Sequence, residues 1–290
     1  MRRFLGLAVT ASLALAFVGT ADMAQASTVG VATVVTATAP VTRLSDFNRD
    51  GITDLVARDA AGKLWLYPGA GAGGFKARHQ MGTGWSRLVS IVTPGDVTGD
   101  GNADVLGKDS AGGLWLYAGN GASGLTRARK IGIGWQTFTV TSAANMNGTG
   151  RPDLLGRDAA GVLWLYPLTG NAAFGTRIRI GGGWSGFTIL GPGDVSGDRK
   201  ADIEARDSGG SLWLYRGNGA GRFAARSLVA VGTGTMTALV TPGNWDRLSG
   251  NDIIMRNTAG QLLFYPGNNA GFIGARRQIG NGWQGFTFIG

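Results

Sequence analysis

The chain has 290 residues, a formal net charge of +9, 52 glycines and no cysteine. Without cysteine, a disulfide framework and a thiolate metal site are both excluded. Lys and Arg are spread along the chain with no dense basic block, so the positive balance does not point to specific nucleic-acid binding.

Residues 1–26 carry Arg2-Arg3, an apolar run from Phe4 to Val18 and a small-residue end at Ala24-Gln25-Ala26. This is the pattern of a secretory signal peptide. The run falls short of the roughly 20 apolar residues that a membrane-spanning helix needs. A secreted protein, extracellular or envelope-associated and not membrane-spanning, is expected. Removing residues 1–26 leaves 25 − 17 = +8. Residues 27–45 form a lead-in without repeat markers; within it Val31 to Val35 either precede the fold or add a strand to it.

From Asp46 onward a nine-residue loop recurs, with its first place at Asp46, Asp96, Asn145, Asp194 and Asn244, in steps of 50, 49, 49 and 50 residues. Two further markers keep this step. One is Trp65-Leu66-Tyr67, repeated at Trp115, Trp164 and Trp213 and altered to Leu263-Phe264-Tyr265. The other is Gly84-Trp85, repeated at Gly134-Trp135, Gly183-Trp184 and Gly282-Trp283, with Gly234-Thr235 read as the altered copy. Between the markers lie Asp-first, glycine-last turns such as Asp109-Ser110-Ala111-Gly112, which suit a type I turn with a left-handed exit. Glycine therefore marks turns, not low complexity.

Each unit offers strand candidates of about four to six residues: after the loop, at Leu-Trp-Leu-Tyr, around Arg129-Lys130-Ile131, and from Trp135 to Val140. Repeats of about 40 to 50 residues with several short strands are the pattern of propeller blades. The predicted fold is all-β: a β-propeller of five blades, each with four antiparallel strands, over residues 46–290. The repeats open on a loop and the chain closes on Trp283 to Phe288. The C-terminal strand is therefore expected to pair into the first blade and remove two sheet edges.

The acidic inventory argues against an enzyme. After residue 26 there are sixteen Asp, one Glu and one His: twelve Asp lie in the five loops and four open the repeated turns. Catalysis needs groups that break a repeat, and only His79 and Glu204 do so. His79 reads as a solvated outer-strand residue and Glu204 as an ion-pair partner of Arg206. No catalytic residue is assigned. Trp85, Trp135, Trp184 and Trp283 are either inter-blade core or stacking platforms for sugars.

The loops carry oxygen side chains at places one, three, five and nine, which suit a hard cation such as Ca²⁺. The first offers Asp46, Asn48, Asp50 and Asp54; the second Asp96, Thr98, Asp100 and Asp104. Three carboxylates on one loop repel unless a cation separates them. The fourth keeps Asp194, Ser196, Asp198 and Asp202, but Arg199 stands where glycine is expected. The third and fifth are depleted of carboxylates, and simple Asp and Asn turn capping accounts for them.

Together, Asp-x-Asn/Thr-x-Asp-Gly-x-x-Asp, Leu-x-x-x-Asp and Leu-Trp-Leu-Tyr-x-Gly resemble the FG-GAP or VCBS repeats of secreted bacterial proteins. Their Ca²⁺ loops are similar to those of the integrin α-subunit propeller. The resemblance spans about residues 46–290. It implies calcium at the first two loops, with Ile52 and Asn102 adding backbone oxygens, and a monomeric binding or adhesion module for an extracellular glycan or protein. In this family the repeats often accompany a hydrolase domain, for which this chain has no room.

Overall fold

The computed structural model describes residues 45–290; the signal-peptide and lead-in readings lie outside the described residues. Five antiparallel sheets follow one another around a ring. Blade 1 takes its innermost strand, Phe286–Ile289, from the C-terminus, followed outward by Leu55–Asp59, Leu64–Tyr67 and His79–Gly82. Blade 2 runs Leu88–Gly95, Asp104–Asp109, Leu114–Tyr117 and Arg129–Gly132. Blades 3, 4 and 5 repeat this order, from Thr139–Ser142, Thr188–Gly193 and Ala238–Gly243 outward to Ile178–Gly181, Ser227–Ala230 and Arg277–Gly280. Blade 3 adds a short strand, Ala173–Phe174, against the end of Leu163–Thr169.

Ring closure is a two-way exchange between backbones: Val56 N–H donates to Gly290 O at 2.7 Å and Gly290 N–H to Val56 O at 2.8 Å. Strand alternation sets up the core. In Leu64–Tyr67 the leucines are fully buried and Trp65 and Tyr67 half-buried, so one face fills the gap between blades. The core clusters are correspondingly made of pairs of neighbouring blades. Val56, Leu64 and Leu66 of blade 1 meet Leu88, Val105 and Tyr117 of blade 2 in one such cluster.

Two sequence expectations need correction. The last strand of each unit begins later than expected, at Thr139 or Phe286. Trp283 instead lies in a 3-10 turn entered through Gly282 at φ 77°, where a left-handed backbone favours glycine. In the fourth unit the matching turn starts at Thr233 after Gly232 at φ 76°. Thr233, rather than Thr235, therefore occupies the tryptophan place.

In blades 2 to 5 the nine-residue loops join the innermost strand to the second, and in blade 1 the loop leads into the second strand, Leu55–Asp59. Their ninth residue, Asp54, Asp104, Asp153, Asp202 or Asp252, is fully buried. Asp104 Oδ2 accepts from Val97 and Thr98 N–H at 2.9 and 3.0 Å, while its Oδ1 accepts from Gly119 N–H at 2.9 Å. One side chain thus ties the loop entrance to the end of the third strand.

Candidate functional site

The geometry of the first two loops is that of carboxylates turned inward on their own backbone. Asp96 Oδ1 accepts from Gly99 N–H at 2.6 Å, Oδ2 from Gly101 N–H at 2.8 Å, and Asp100 Oδ1 from Asn102 N–H at 2.8 Å. In the first loop Gly51 N–H donates to Asp46 Oδ2 at 3.0 Å, Ile52 N–H to Asp50 Oδ1 at 2.9 Å, and Asp50 N–H to Asn48 Oδ1 at 2.8 Å. The fourth loop keeps the turn despite Arg199, which adopts φ 67° and donates its N–H to Asp194 Oδ2 at 2.7 Å. Asp198 Oδ1 accepts from Lys200 N–H, and Asp202 Oδ2 from Ser196 N–H. Among the described residues, no three His, Asp or Glu side chains are gathered into a metal cage.

Burial raises the ninth-place aspartate in every loop, Asp153 and Asp252 included, so only neighbouring carboxylate charge and the donor set bear on a cation. Asp54 is pushed up to about 7, by burial first and then by the neighbouring charges of Asp50 and Asp46. Asp104 is pushed up to about 6 by burial, with Asp100 adding to it. In the first loop a lysine already supplies positive charge: Lys76 Nζ lies 2.6 Å from Asp50 Oδ2. The donor set of hard oxygens suits Ca²⁺.

Trp85, Trp135, Trp184 and Trp283 are 5–8% exposed. Each ring packs against a tyrosine of the blade it enters, with centroids 4.4–4.8 Å apart, for example Trp85 on Tyr117 and Trp283 on Tyr67. The half-buried tryptophans are a different set. Trp65, Trp115, Trp164 and Trp213 donate their indole N–H to the turn residues Asp59, Asp109, Asp158 and Asp207 at 2.7–3.0 Å. The indole of Trp115 holds the Asp109 carboxylate below the usual range. Over the rings lie Arg78, Lys130, Arg177 and Arg226, 4.0–4.7 Å from the centroids. This cation–π cover was not read from the sequence, although an Arg thirteen residues after Trp65, Trp164 and Trp213 was visible there.

Blades are also clamped by a repeated cation at the end of the second strand. Arg256 Nη1 donates to Trp283 O at 2.9 Å and Phe286 O at 2.6 Å, and Arg206 Nη1 likewise to Thr233 O and Met236 O. Lys108 takes this place in blade 2 and reaches Phe138 O. Arg206 is thus engaged with backbone carbonyls, and Glu204 is not its ion-pair partner. Glu204 is 2% exposed, its Oε2 has no hydrogen-bond partner, and burial pushes it up to about 8. It stands opposite Leu190 and Leu214 in the sheet, where the other blades place Val56, Leu106, Leu155 and Ile254. His79 is exposed on the outermost strand of blade 1.

Cavities open on the ring among the described residues, three of them as follows. One, of about 330 Å³, is axial and lined by innermost-strand residues such as Val92, Thr141, Leu190 and Thr241. The other two open between blades. The groove between blades 1 and 2 measures about 520 Å³, against about 360 Å³ for that between blades 2 and 3. Its larger size follows from two local truncations. Strand register aligns Arg78, Ala128, Arg177, Arg226 and Arg276, so blade 2 alone lacks arginine there. The bridge partners Phe75, Leu125, Phe174, Phe223 and Ile273 show leucine in place of a ring in blade 2. In blades 1 and 3 the arginine caps its own tyrosine, Arg78 Nη1 donating to Tyr67 Oη at 3.1 Å and Arg177 Nη1 to Tyr166 Oη at 3.4 Å; in this groove Arg87, in the turn between blades 1 and 2, donates to Tyr117 Oη at 3.0 Å.

An FG-GAP-like repeat family model matches residues 46–107, from the first loop into the second strand of blade 2. The sequence resemblance is thus shown for that stretch, and the remaining repeats follow its spacing. Among solved structures, a lectin of Agrocybe aegerita that recognises non-reducing terminal N-acetylglucosamine is similar, at 18% identity and TM-score 0.48, over 82% of this chain and 65% of that one. The BP39L lectin of Burkholderia pseudomallei follows at 15% identity and TM-score 0.45, over 83% and 68%. The six-bladed Aleuria aurantia lectin gives 12%, TM-score 0.42 and 80% of each chain. This chain therefore spans 65% of the length of the first of these. No curated protein matches the sequence. The class defined by the fold is a five-bladed β-propeller, with an FG-GAP-like repeat matched over residues 46–107.

Proposed function

We propose that the protein is a secreted, non-catalytic binding propeller whose ligand is a saccharide held between blades, first of all in the groove of blades 1 and 2. The observation that carries this reading is the break in the repeat at Leu125 and Ala128, which opens a cavity in the size range of small-ligand sites. The groove combines an apolar wall of Met81, Leu125 and Ala128 with a few polar groups. The titratable side chains outside the loops and turns support the non-catalytic part: Glu204 is sealed in the core and His79 stands on the outermost strand. The test is a glycan array in about 1 mM Ca²⁺, repeated with Leu125→Phe, which restores the ring found in blades 1, 3 and 4. Retained glycans released by this substitution are expected; an array with no retention discards the saccharide reading.

Calcium belongs to the same proposal as a stabiliser of the first two loops and, with fewer favourable features, the fourth. The crowding of Asp46, Asp50 and Asp54 is what supports it. Bound near 10⁻⁴ M, as extracellular modules often are, 1 mM Ca²⁺ adds about 1.4 kcal/mol per site by mass action. That amounts to roughly 3–6 °C per site. EDTA is expected to lower the melting temperature and Ca²⁺ to restore it. An unchanged melt leaves turn capping as the whole role of these side chains.

A further inference from the structure

We propose that the groove between blades 1 and 2 selects an anionic saccharide, one bearing a carboxylate or sulfate, through Arg87 and Arg127. The proposal rests on the saccharide reading of that groove and adds the charge of the ligand. Both arginines break the repeat. The places equivalent to Arg87 hold Thr137, Gly186, Thr235 and Gly285; those equivalent to Arg127 hold Ala77, Thr176, Ala225 and Ala275. Two cations without counterparts in other blades therefore line the one groove that two truncations have widened.

The groove offers one carboxylate against these two arginines, and Lys130 shares its charge. Its carboxylate, Asp109, has both oxygens occupied, Oδ1 by Gly113 N–H at 2.7 Å and Oδ2 by the Trp115 indole at 2.7 Å. Arg87 spends one N–H on Tyr117 Oη, which fixes the guanidinium and leaves others to donate. Arg127 is exposed and has no hydrogen-bond or ion-pair partner among the described residues. Lys130, over Trp115, adds a third positive charge beside the groove. A planar guanidinium fork matches a carboxylate or sulfate in two parallel hydrogen bonds.

A nucleic acid would meet the same charges but needs open aromatic faces on which bases stack. Here Trp115 is covered by Lys130, and Trp85 is buried against Tyr117. A sugar requires only the groove wall and the charges.

The experiment compares uronate-containing and sulfated oligosaccharides with their carboxyl-reduced or desulfated counterparts at 150 mM NaCl and 1 mM Ca²⁺, on the full protein. The acidic members are expected to bind at least tenfold more tightly than the neutral ones. Arg127→Ala is expected to lose that tenfold while leaving the melting temperature unchanged. Ala128→Arg supplies the decisive variant. It adds a cation yet is expected to abolish binding, because it refills the groove as Arg78 and Arg177 fill theirs, and the other blades show that the fold accepts it. Tighter binding by Ala128→Arg, as diffuse attraction would give, overturns the proposal. Equal binding of neutral counterparts overturns it too, while loss of that binding in Ala128→Arg keeps the groove as the sugar site. Retention of no saccharide at all sinks both readings together.

Discussion

Glu204 shows how much one side chain can depart from its repeat while the fold persists. It occupies a core position that is aliphatic in the other blades, among buried neighbours such as Leu190 and Leu214. Burial pushes its carboxyl up to about 8 from an ordinary value of 4.5. The folded chain therefore holds the proton over a range in which the unfolded chain has released it. The resulting penalty on stability grows as pH rises from about 4.5 to about 8 and is constant above that. Glu204→Leu is thus expected to stabilise the protein by about 1–3 kcal/mol, the range for an unsatisfied buried polar group. Melting curves should show a larger gain at pH 8 than at pH 5. Equal gains at the two pH values would mean that Glu204 has a partner in solution.

At the scale of elements, the blades are joined by more than apolar packing. The cation closing each second strand reaches the turn that leads into the next blade, as Arg157 does to Trp184 O at 3.0 Å and to Phe187 O. Arg157→Met keeps the apolar stem but strands two carbonyls, at an expected cost of about 1–3 kcal/mol in denaturant unfolding. Arg157→Lys should recover most of that loss, since Lys108 performs the same task in blade 2. A methionine variant as stable as the parent would reduce this clamp to a bystander.

For the whole molecule the decisive contact is closure. The strand Phe286–Ile289 lies against Leu55–Asp59 and covers an edge that carries the buried Val56 and Ala57. A chain ending at residue 285 is expected to lose its cooperative transition and to associate, because an open edge and apolar blade face are both exposed. A peptide of residues 283–290 added in trans should restore solubility. A shortened chain that stays monodisperse in sedimentation and melts unchanged would show that the blades hold together without closure.

The repeat spacing, the all-β class, the five blades and the closing strand were all legible in the chain, because repeated units must solve the same packing problem with the same residues at the same spacing. The turn signals were legible for a similar reason: glycine and aspartate act within a few residues of themselves. What required the tertiary structure was everything decided across blades. The structure identified Thr233 as the substitute for tryptophan and showed Arg206 gripping carbonyls of the next turn instead of Glu204. The groove at Arg87, Arg127 and Ala128 belongs to the same category. Its residues lie up to 41 positions apart, and only the packing of blade 1 on blade 2 brings them to one groove.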